Sequence, residues 1–207
     1  MGKKAELEKL VWRKIHILQS EAQSGGGKAA MANLRRGIGR EPGELPELLG
    51  ILLSDMPQEF WSENGTATKE EWVCYTVLTL YALHQQGHDA KGHPMNTDDE
   101  VSMGRALYKL AEAYDGDPNG EQRIVQKLRT LATAKDRKEL SHHLRGIVQL
   151  LKGNGIPLNY KRLAGDLYGM QFPEGKRQVC LRWGQDFYGE KNKKEDKEDK
   201  SGEEKSI

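Results

Sequence analysis

Three histidines and an aspartate near the middle of the chain have a spacing suited to holding a metal ion. His84 and His88 are four residues apart, and Asp89 and His93 follow closely. A His-Asp dipeptide is typical of metal-dependent phosphohydrolases, but such enzymes need further His and Asp ligands on other helices, and the sequence has no second cluster. We therefore predict no metal site, and we expect these histidines to be exposed at a helix end and in a polar loop.

Two other motifs with catalytic potential lack the residues that the chemistry needs. Residues 24–28 read Ser-Gly-Gly-Gly-Lys, but a phosphate-binding loop follows a strand and has Ser or Thr after its lysine, where this chain has Ala29. The pair His142-His143 offers a base, yet no Ser-His-Asp or Cys-His arrangement can be argued around it. We predict a protein without catalytic residues, cofactor or metal.

The charged residues are unevenly distributed along the chain. Residues 1–103 hold 11 Lys and Arg against 15 Asp and Glu, whereas residues 104–189 hold 15 against 9. A basic half joined to an acidic half favours a polyanionic partner, such as nucleic acid, for the basic half. Mixed charge on solvated helix faces is the alternative interpretation.

Cations also recur at helical spacing beside apolar stripes. Arg105 and Lys109 lie one turn apart in one predicted helix, and Arg123 and Lys127 repeat the arrangement in the next. Three neighbouring helices of this kind would build a continuous basic surface. The predicted nucleic-acid-binding residues are Arg35, Arg36, Arg105, Lys109, Arg123, Lys127, Arg129, His142, Arg145 and Arg162.

The stretch from Leu140 to Tyr168 predicts a helical hairpin that positions some of these cations. Apolar residues recur with a period of 3.6 as far as Leu151, and glycines then stop the helix. Pro157 forces the preceding residue into an extended conformation, and the side chain of Asn159 is suited to cap the next helix. The hairpin has an apolar inside and a largely basic outside.

Similar patterns along the rest of the chain predict an all-α fold, a helical bundle of about eight or nine helices in one unit or two small helical subdomains. Residues 1–86 form a net acidic helical part, residues 87–100 a polar connecting loop, and residues 101–189 a basic helical part. Residues 190–207 alternate Lys with Glu and Asp, and we expect them to be a disordered charged tail.

The sequence predicts a cytoplasmic protein that does not enter a membrane. No run approaches the roughly 18 to 20 apolar residues that span a bilayer, and the N-terminus lacks an apolar signal region. Cys74 and Cys180 are two isolated cysteines in helical patterns, without the CxxC pair of a zinc site. We interpret them as reduced core thiols.

Several stretches resemble one known family. Residues 143–167, which include the Gly155-Ile156-Pro157-Leu158 turn, are similar to the signature of the CasB-type small subunit of the type I-E CRISPR Cascade complex. The resemblance covers roughly residues 7–189. Further similar segments, in the family's order, are Trp72 with residues 83–86, residues 102–107, and Trp183 with residues 186–188.

This resemblance implies a non-catalytic subunit of an RNA-guided surveillance complex in antiviral defence. It implies two copies of the protein along the guide RNA, contacts with the backbone and large subunits of Cascade, and a role in holding the target DNA and the displaced strand of the R-loop. In such complexes base pairing reads the sequence, so phosphate contacts from lysine and arginine suffice.

Two other functions remain as alternatives at this stage. In a helix-turn-helix regulator, the two helices between Ile147 and Leu167 would form the motif, and Lys161 and Arg162 would enter a major groove. The connection between these helices is long for that motif, and the second helix offers few side chains that read base edges. A metal-dependent nuclease is the third class, and it would require the metal site argued against above.

Overall fold

Nine α-helices build the part of the chain that the computed structural model describes, residues 2–204, with side chains described as far as Lys194. The predicted all-α fold is confirmed. Two short 3-10 helices cover Pro46–Leu48 and Gln58–Phe60. The α-helices are α1 (Lys3–Glu21), α2 (Gly25–Arg36), α3 (Leu49–Leu53), α4 (Lys69–His84), α5 (Met103–Glu112), α6 (Gly120–Thr133), α7 (Arg137–Gly153), α8 (Tyr160–Gly169) and α9 (Pro173–Glu204).

Helix α4 is the centre of the bundle. Every residue from Glu70 to His84 is buried, because this helix is apolar nearly all round and can leave water only by packing on several neighbours. It contacts α1, α2, α7 and α8. The core therefore forms one cluster that includes residues from both the acidic and the basic halves of the chain. None of the helices described is long and apolar enough to cross a bilayer.

Helices α5 and α9 pack closely because a glycine lies at their contact. A Cβ atom at Gly104 would collide with the backbone oxygen of Trp183 and crowd Asp186. Trp183 and Phe187 are buried under this contact, with 1% and 0% of their surface exposed. The close packing of the long helix α9 on α5 thus requires glycine, which has no side chain, at position 104.

The loop of residues 87–100 pairs with the turn between α7 and α8. Gly155 has a positive φ of 62°, and the chain then runs extended, so that the Leu158 amide donates to the Met95 carbonyl at 3.1 Å. Asn159 caps α8, as predicted, by accepting a hydrogen bond of 2.8 Å from the Arg162 amide. Its amide group also donates to the carbonyl of Asp99 at 2.9 Å. The loop is therefore fixed to the hairpin.

Helix α9 continues beyond Gly189 as far as Glu204. The first turn of this extension contacts the bundle. Glu190 lies 3.3 Å from the Arg105 guanidinium, and Lys191 donates to Glu121 at 2.8 Å. Glu190 also pairs with Lys193, three residues further along the helix, at 3.0 Å.

Candidate nucleic-acid interface

The ten predicted cations lie on five helices, and seven of them lie on three helices that contact one another. Helices α5, α6 and α7 contact one another, as predicted, whereas α2 packs on α1 and α4. The first three carry Arg105, Lys109, Arg123, Lys127, Arg129, His142 and Arg145, while α2 carries Arg35 and Arg36 and α8 carries Arg162.

Two of these cations are held by carboxylates of the protein itself. Arg162 donates to Glu100 at 2.6 Å and to Asp186 at 3.1 Å, so its two terminal nitrogens bind different elements. Arg105 donates to the Glu100 carbonyl at 2.7 Å and lies 3.3 Å from the Glu190 carboxylate. These guanidiniums join α5, α8 and α9, and a phosphate would have to compete with the acids for them.

Two further cations form pairs on the exposed surface. Arg36 lies 3.0 Å from Glu47, and Arg123 pairs with Asp117. Both guanidiniums are more than half exposed, at 64% and 60%. An exposed pair contributes about 0 to 1 kcal/mol, so these side chains can exchange a carboxylate for a phosphate at little cost.

Four cations have no ion-pair partner among the side chains described, which end at Lys194. Lys109, Lys127, Arg129 and Arg145 are all exposed. Lys127 and Arg129 lie on α6, and Arg145 lies on α7, which packs beside it. No described carboxylate pairs with them directly, so an anionic ligand can reach them.

An aromatic residue that the sequence did not indicate joins the cations of α6. Arg123, Arg129 and Tyr188 line a groove of about 620 Å³, together with Glu121 and two glutamines of α6. The Tyr188 ring is 46% exposed, whereas its neighbour Phe187 is buried. A tyrosine ring beside cations is suited to stacking with an unpaired base. The exposure of Tyr188 depends on how α9 packs on the bundle. The spacing of apolar residues along the helix therefore did not predict it.

The two adjacent histidines of α7 face different surroundings. His142 is exposed, and its ring meets that of His143 edge to face at 5.7 Å. His143 Nε2 lies 3.6 Å from Glu139. The pKa of Glu139 is lowered, chiefly because its carboxylate accepts a hydrogen bond from the Lys135 amide. His142 is thus open to solvent, whereas His143 interacts with Glu139 of its own helix.

The three histidines with metal-ligand spacing have different surroundings and do not converge on one site. His84 is fully buried, with Nδ1 3.0 Å from the Tyr160 hydroxyl, and burial lowers its pKa to about 3. His88 donates from Nε2 to the Lys152 carbonyl at 3.0 Å, while His93 is exposed. The expectation of exposure is therefore wrong for His84, because the last turn of α4 is buried against α8. Within the described residues no group of three His, Cys, Asp or Glu could hold a metal ion.

The two cysteines lie in surroundings that suppress thiolate formation. Cys74 is completely buried in α4, and burial raises the pKa of its thiol to about 12. Cys180 is partly buried in α9, and burial raises its pKa as well. Neither thiol is paired in a disulfide. Nucleophiles of this kind would be inert near neutral pH.

The fold is an all-α helical bundle, and three of its neighbouring helices carry seven of the predicted cations. The chain belongs to the CRISPR-associated Cse2 family, whose family model matches residues 30–188. It is a CasB-type subunit, as the resemblance implied. No curated protein matches it.

Solved structures of the same family share the fold. CasB from Thermobifida fusca is 27% identical, with a TM-score of 0.70 over 87% of this chain and 97% of that one. A CRISPR-associated protein of the Cse2 family from Thermus thermophilus is 22% identical, with a TM-score of 0.62 over 91% and 99%. A structure of CasB from the same organism is 23% identical, with a TM-score of 0.61 over the same shares. The two Thermus structures support the fold alone.

Proposed function

We propose that this chain is a non-catalytic small subunit of a type I-E Cascade complex, which binds nucleic-acid backbone and stabilises the R-loop of guide RNA and target DNA in antiviral defence. The observation that carries the proposal is membership of the Cse2 family over residues 30–188. The proposed partners are the backbone and large subunits, the guide RNA, the target and displaced DNA strands, and a second copy of this chain.

The exposed cations of α6 and α7 support this role. Lys127, Arg129 and Arg145 have no competing carboxylate among the described side chains, and they lie on helices that contact each other. Lysine and arginine on a helix surface bind phosphates without reading bases. That suffices for a subunit whose complex reads sequence through guide pairing, and the proposal requires no catalytic group.

The packing of α8 argues against the helix-turn-helix alternative. A recognition helix must present one face to the major groove, but residues 163–167 are all buried, and α8 is covered by α1, α4 and α9. Arg162, which would read bases in that hypothesis, is held by Glu100 and Asp186. We therefore propose binding that ignores base sequence.

The α6 cations provide the direct test. The assembled complex would carry Arg123→Ala, Lys127→Ala and Arg129→Ala, and its affinity for matched target DNA would be measured over a salt series. We expect weaker binding for all target sequences and a slope of log affinity against log salt that flattens by about 0.7 per lost contact with a single strand.

The matched control removes three exposed cations that lie outside helices α5, α6 and α7. Lys4, Arg40 and Arg177 pair with Glu8, Glu44 and Glu174, respectively. Their triple alanine variant should bind like the wild type. Equal affinity and slope in both triple variants would contradict phosphate binding by α6, and a loss confined to one target sequence would instead support a regulator.

A further inference from the structure

Three asparagines of the chain are directly followed by glycine. They are Asn64, Asn119 and Asn154. Asparagine is a thermolabile residue, and a following glycine makes it more reactive, because no side chain hinders attack of the glycine amide nitrogen on the asparagine side chain. The sequence gives the three sites equal reactivity, so only their surroundings in the fold can distinguish them.

The glycine amides that follow Asn119 and Asn154 are hydrogen-bonded in turns at helix ends. They donate to the carbonyls of Asp117 and Lys152 at 2.8 and 3.2 Å. The ψ angles of the two asparagines are 6° and 5°. At ψ near zero the glycine nitrogen eclipses the asparagine's own nitrogen, whereas ring closure requires it to eclipse the Cα–Cβ bond. Reaction at either site must therefore break a hydrogen bond and rotate the backbone.

Asn64 lies in an exposed loop between the 3-10 helix Gln58–Phe60 and α4. No hydrogen bond between main-chain groups involves residues 62–67, and the Gly65 amide donates to no group in the part of the chain that the structure describes. Gly65 has a positive φ of 79° and is exposed together with Asn64. The attacking nitrogen is therefore accessible at this site, and no described hydrogen bond has to break.

The side chain of Asn64 is also positioned for attack. Its Oδ1 accepts hydrogen bonds from the Thr66 amide at 2.9 Å and from the Ser62 hydroxyl at 3.3 Å. Two donors on one carbonyl oxygen stabilise the negative charge that develops there in a tetrahedral intermediate. The leaving nitrogen, Nδ2, donates to no described group, whereas that of Asn154 donates to the Leu150 carbonyl at 2.8 Å.

We propose that Asn64 is a site of spontaneous covalent modification, in which the Gly65 amide nitrogen attacks Cγ of Asn64. The new N–Cγ bond closes a succinimide ring, the Cγ–Nδ2 bond breaks, and the amide proton of Gly65 leaves with Nδ2 as ammonia. Water then opens the ring at either carbonyl, which yields aspartate or isoaspartate. The reaction requires only water, so it is independent of the proposed function.

The products change the entry to the central helix α4. Ser62 connects Asn64 to the capping box of that helix, because the Ser62 amide donates to Glu71 at 3.2 Å. The same carboxylate accepts a hydrogen bond from the Thr68 amide at 2.8 Å. Both products add a negative charge beside this network, and isoaspartate also inserts a methylene group into the main chain. The modification therefore acts on the capping of α4.

The test incubates the purified full-length chain at mildly alkaline pH, either folded or unfolded in guanidinium chloride. Mass spectrometry of digested samples follows the conversion of amide to acid at each Asn-Gly site, and chromatography separates the aspartate and isoaspartate peptides. We expect similar rates at all three sites in the unfolded chain. In the folded chain Asn64 should react at least about tenfold faster than Asn119 or Asn154, because the latter sites must break a hydrogen bond and have no described donor to the carbonyl.

The variant Ser62→Ala removes one donor to the Asn64 carbonyl and should slow its conversion by about fivefold, the factor that corresponds to one ordinary hydrogen bond. The matched control is Ser20→Ala, which removes an exposed hydroxyl that donates to the Ile17 carbonyl of its own helix and should leave the rate unchanged. Equal rates at the three sites in the folded chain would overturn the assignment to Asn64. Equal rates in the two serine variants would overturn the role of the Ser62 hydroxyl.

Discussion

The guanidinium of Arg105 lies 3.3 Å from the carboxylate of Glu190, although the two residues come from different helices far apart in the chain. The pKa of Glu190 is lowered, first by a hydrogen bond from Lys193 and then by the charges of Lys193, Arg105 and Lys109. Glu190 therefore stays ionised and pairs with Arg105, a residue that the sequence predicted to bind nucleic acid. Arg105 contributes to the docking of α9 as well as to the basic surface.

Replacing Glu190 with Gln should release Arg105 for phosphate binding. We expect the assembled complex to bind target DNA more tightly and with a steeper salt dependence, because one more cation becomes available. The pair is partly exposed, so unfolding free energy should change by about 1 kcal/mol or less. Glu63→Gln, at an exposed acid without a described ion pair, is the control, and an equal gain in both variants would indicate only a general charge effect.

Truncation should distinguish the first turn of the α9 extension from the rest. A chain that ends at Gly189 loses Glu190, Lys191 and Lys194, whereas a chain that ends at Lys194 keeps their contacts with α5 and α6. We expect a lower melting temperature for the first truncation only, since each partly exposed pair contributes up to about 1 kcal/mol. Identical melting of both truncated chains would show that these pairs add nothing.

Leu144→Ala and Leu163→Ala should each destabilise the bundle. The two side chains are 0% and 2% exposed on the inner faces of α7 and α8, and truncating a buried leucine costs about 2 to 5 kcal/mol. Urea unfolding monitored by circular dichroism measures the change. Leu181→Ala is the control, because Leu181 is 64% exposed and its loss should cost about 0.5 kcal/mol or less. A similar midpoint for all three variants would refute this assignment of faces.

His84 should make stability depend on pH below its ordinary pKa. In the folded chain burial lowers the pKa from 6.5 to about 3, so only the unfolded chain takes up the proton between these values. Stability is therefore fully present above pH 6.5 and is lost as the pH falls towards 3, by about 1.4 kcal/mol per unit.

The variant His84→Gln isolates this effect from that of the carboxylates, which titrate in both proteins. Urea unfolding of the two proteins would be compared across the window from pH 6.5 down to about 3. We expect the stability of the wild type relative to the variant to decrease as the pH falls. A difference that stays constant with pH would show that the buried ring does not remain neutral.

Much of the fold follows from local patterns in the sequence. The stripe from Leu140 to Leu151 is buried, and Asn159 caps α8 as its position predicted. These features depend on residues within one or two turns of each other, where periodicity, prolines and capping side chains act directly. The family resemblance could also be recognised from the sequence, because the similar segments occur in the same order along the chain.

Only the tertiary structure determines which charged and aromatic side chains are paired, buried or exposed. The sequence predicted the same role, nucleic-acid binding, for Arg105 and Arg145. In the structure Arg105 pairs with Glu190, whereas Arg145 is exposed without a described partner. His84, expected at the surface, is buried in the core. Periodicity identifies the inner face of a helix but not the neighbour that covers its flanks. Ion pairing and burial depend on residues from distant segments, and these meet only when the helices pack.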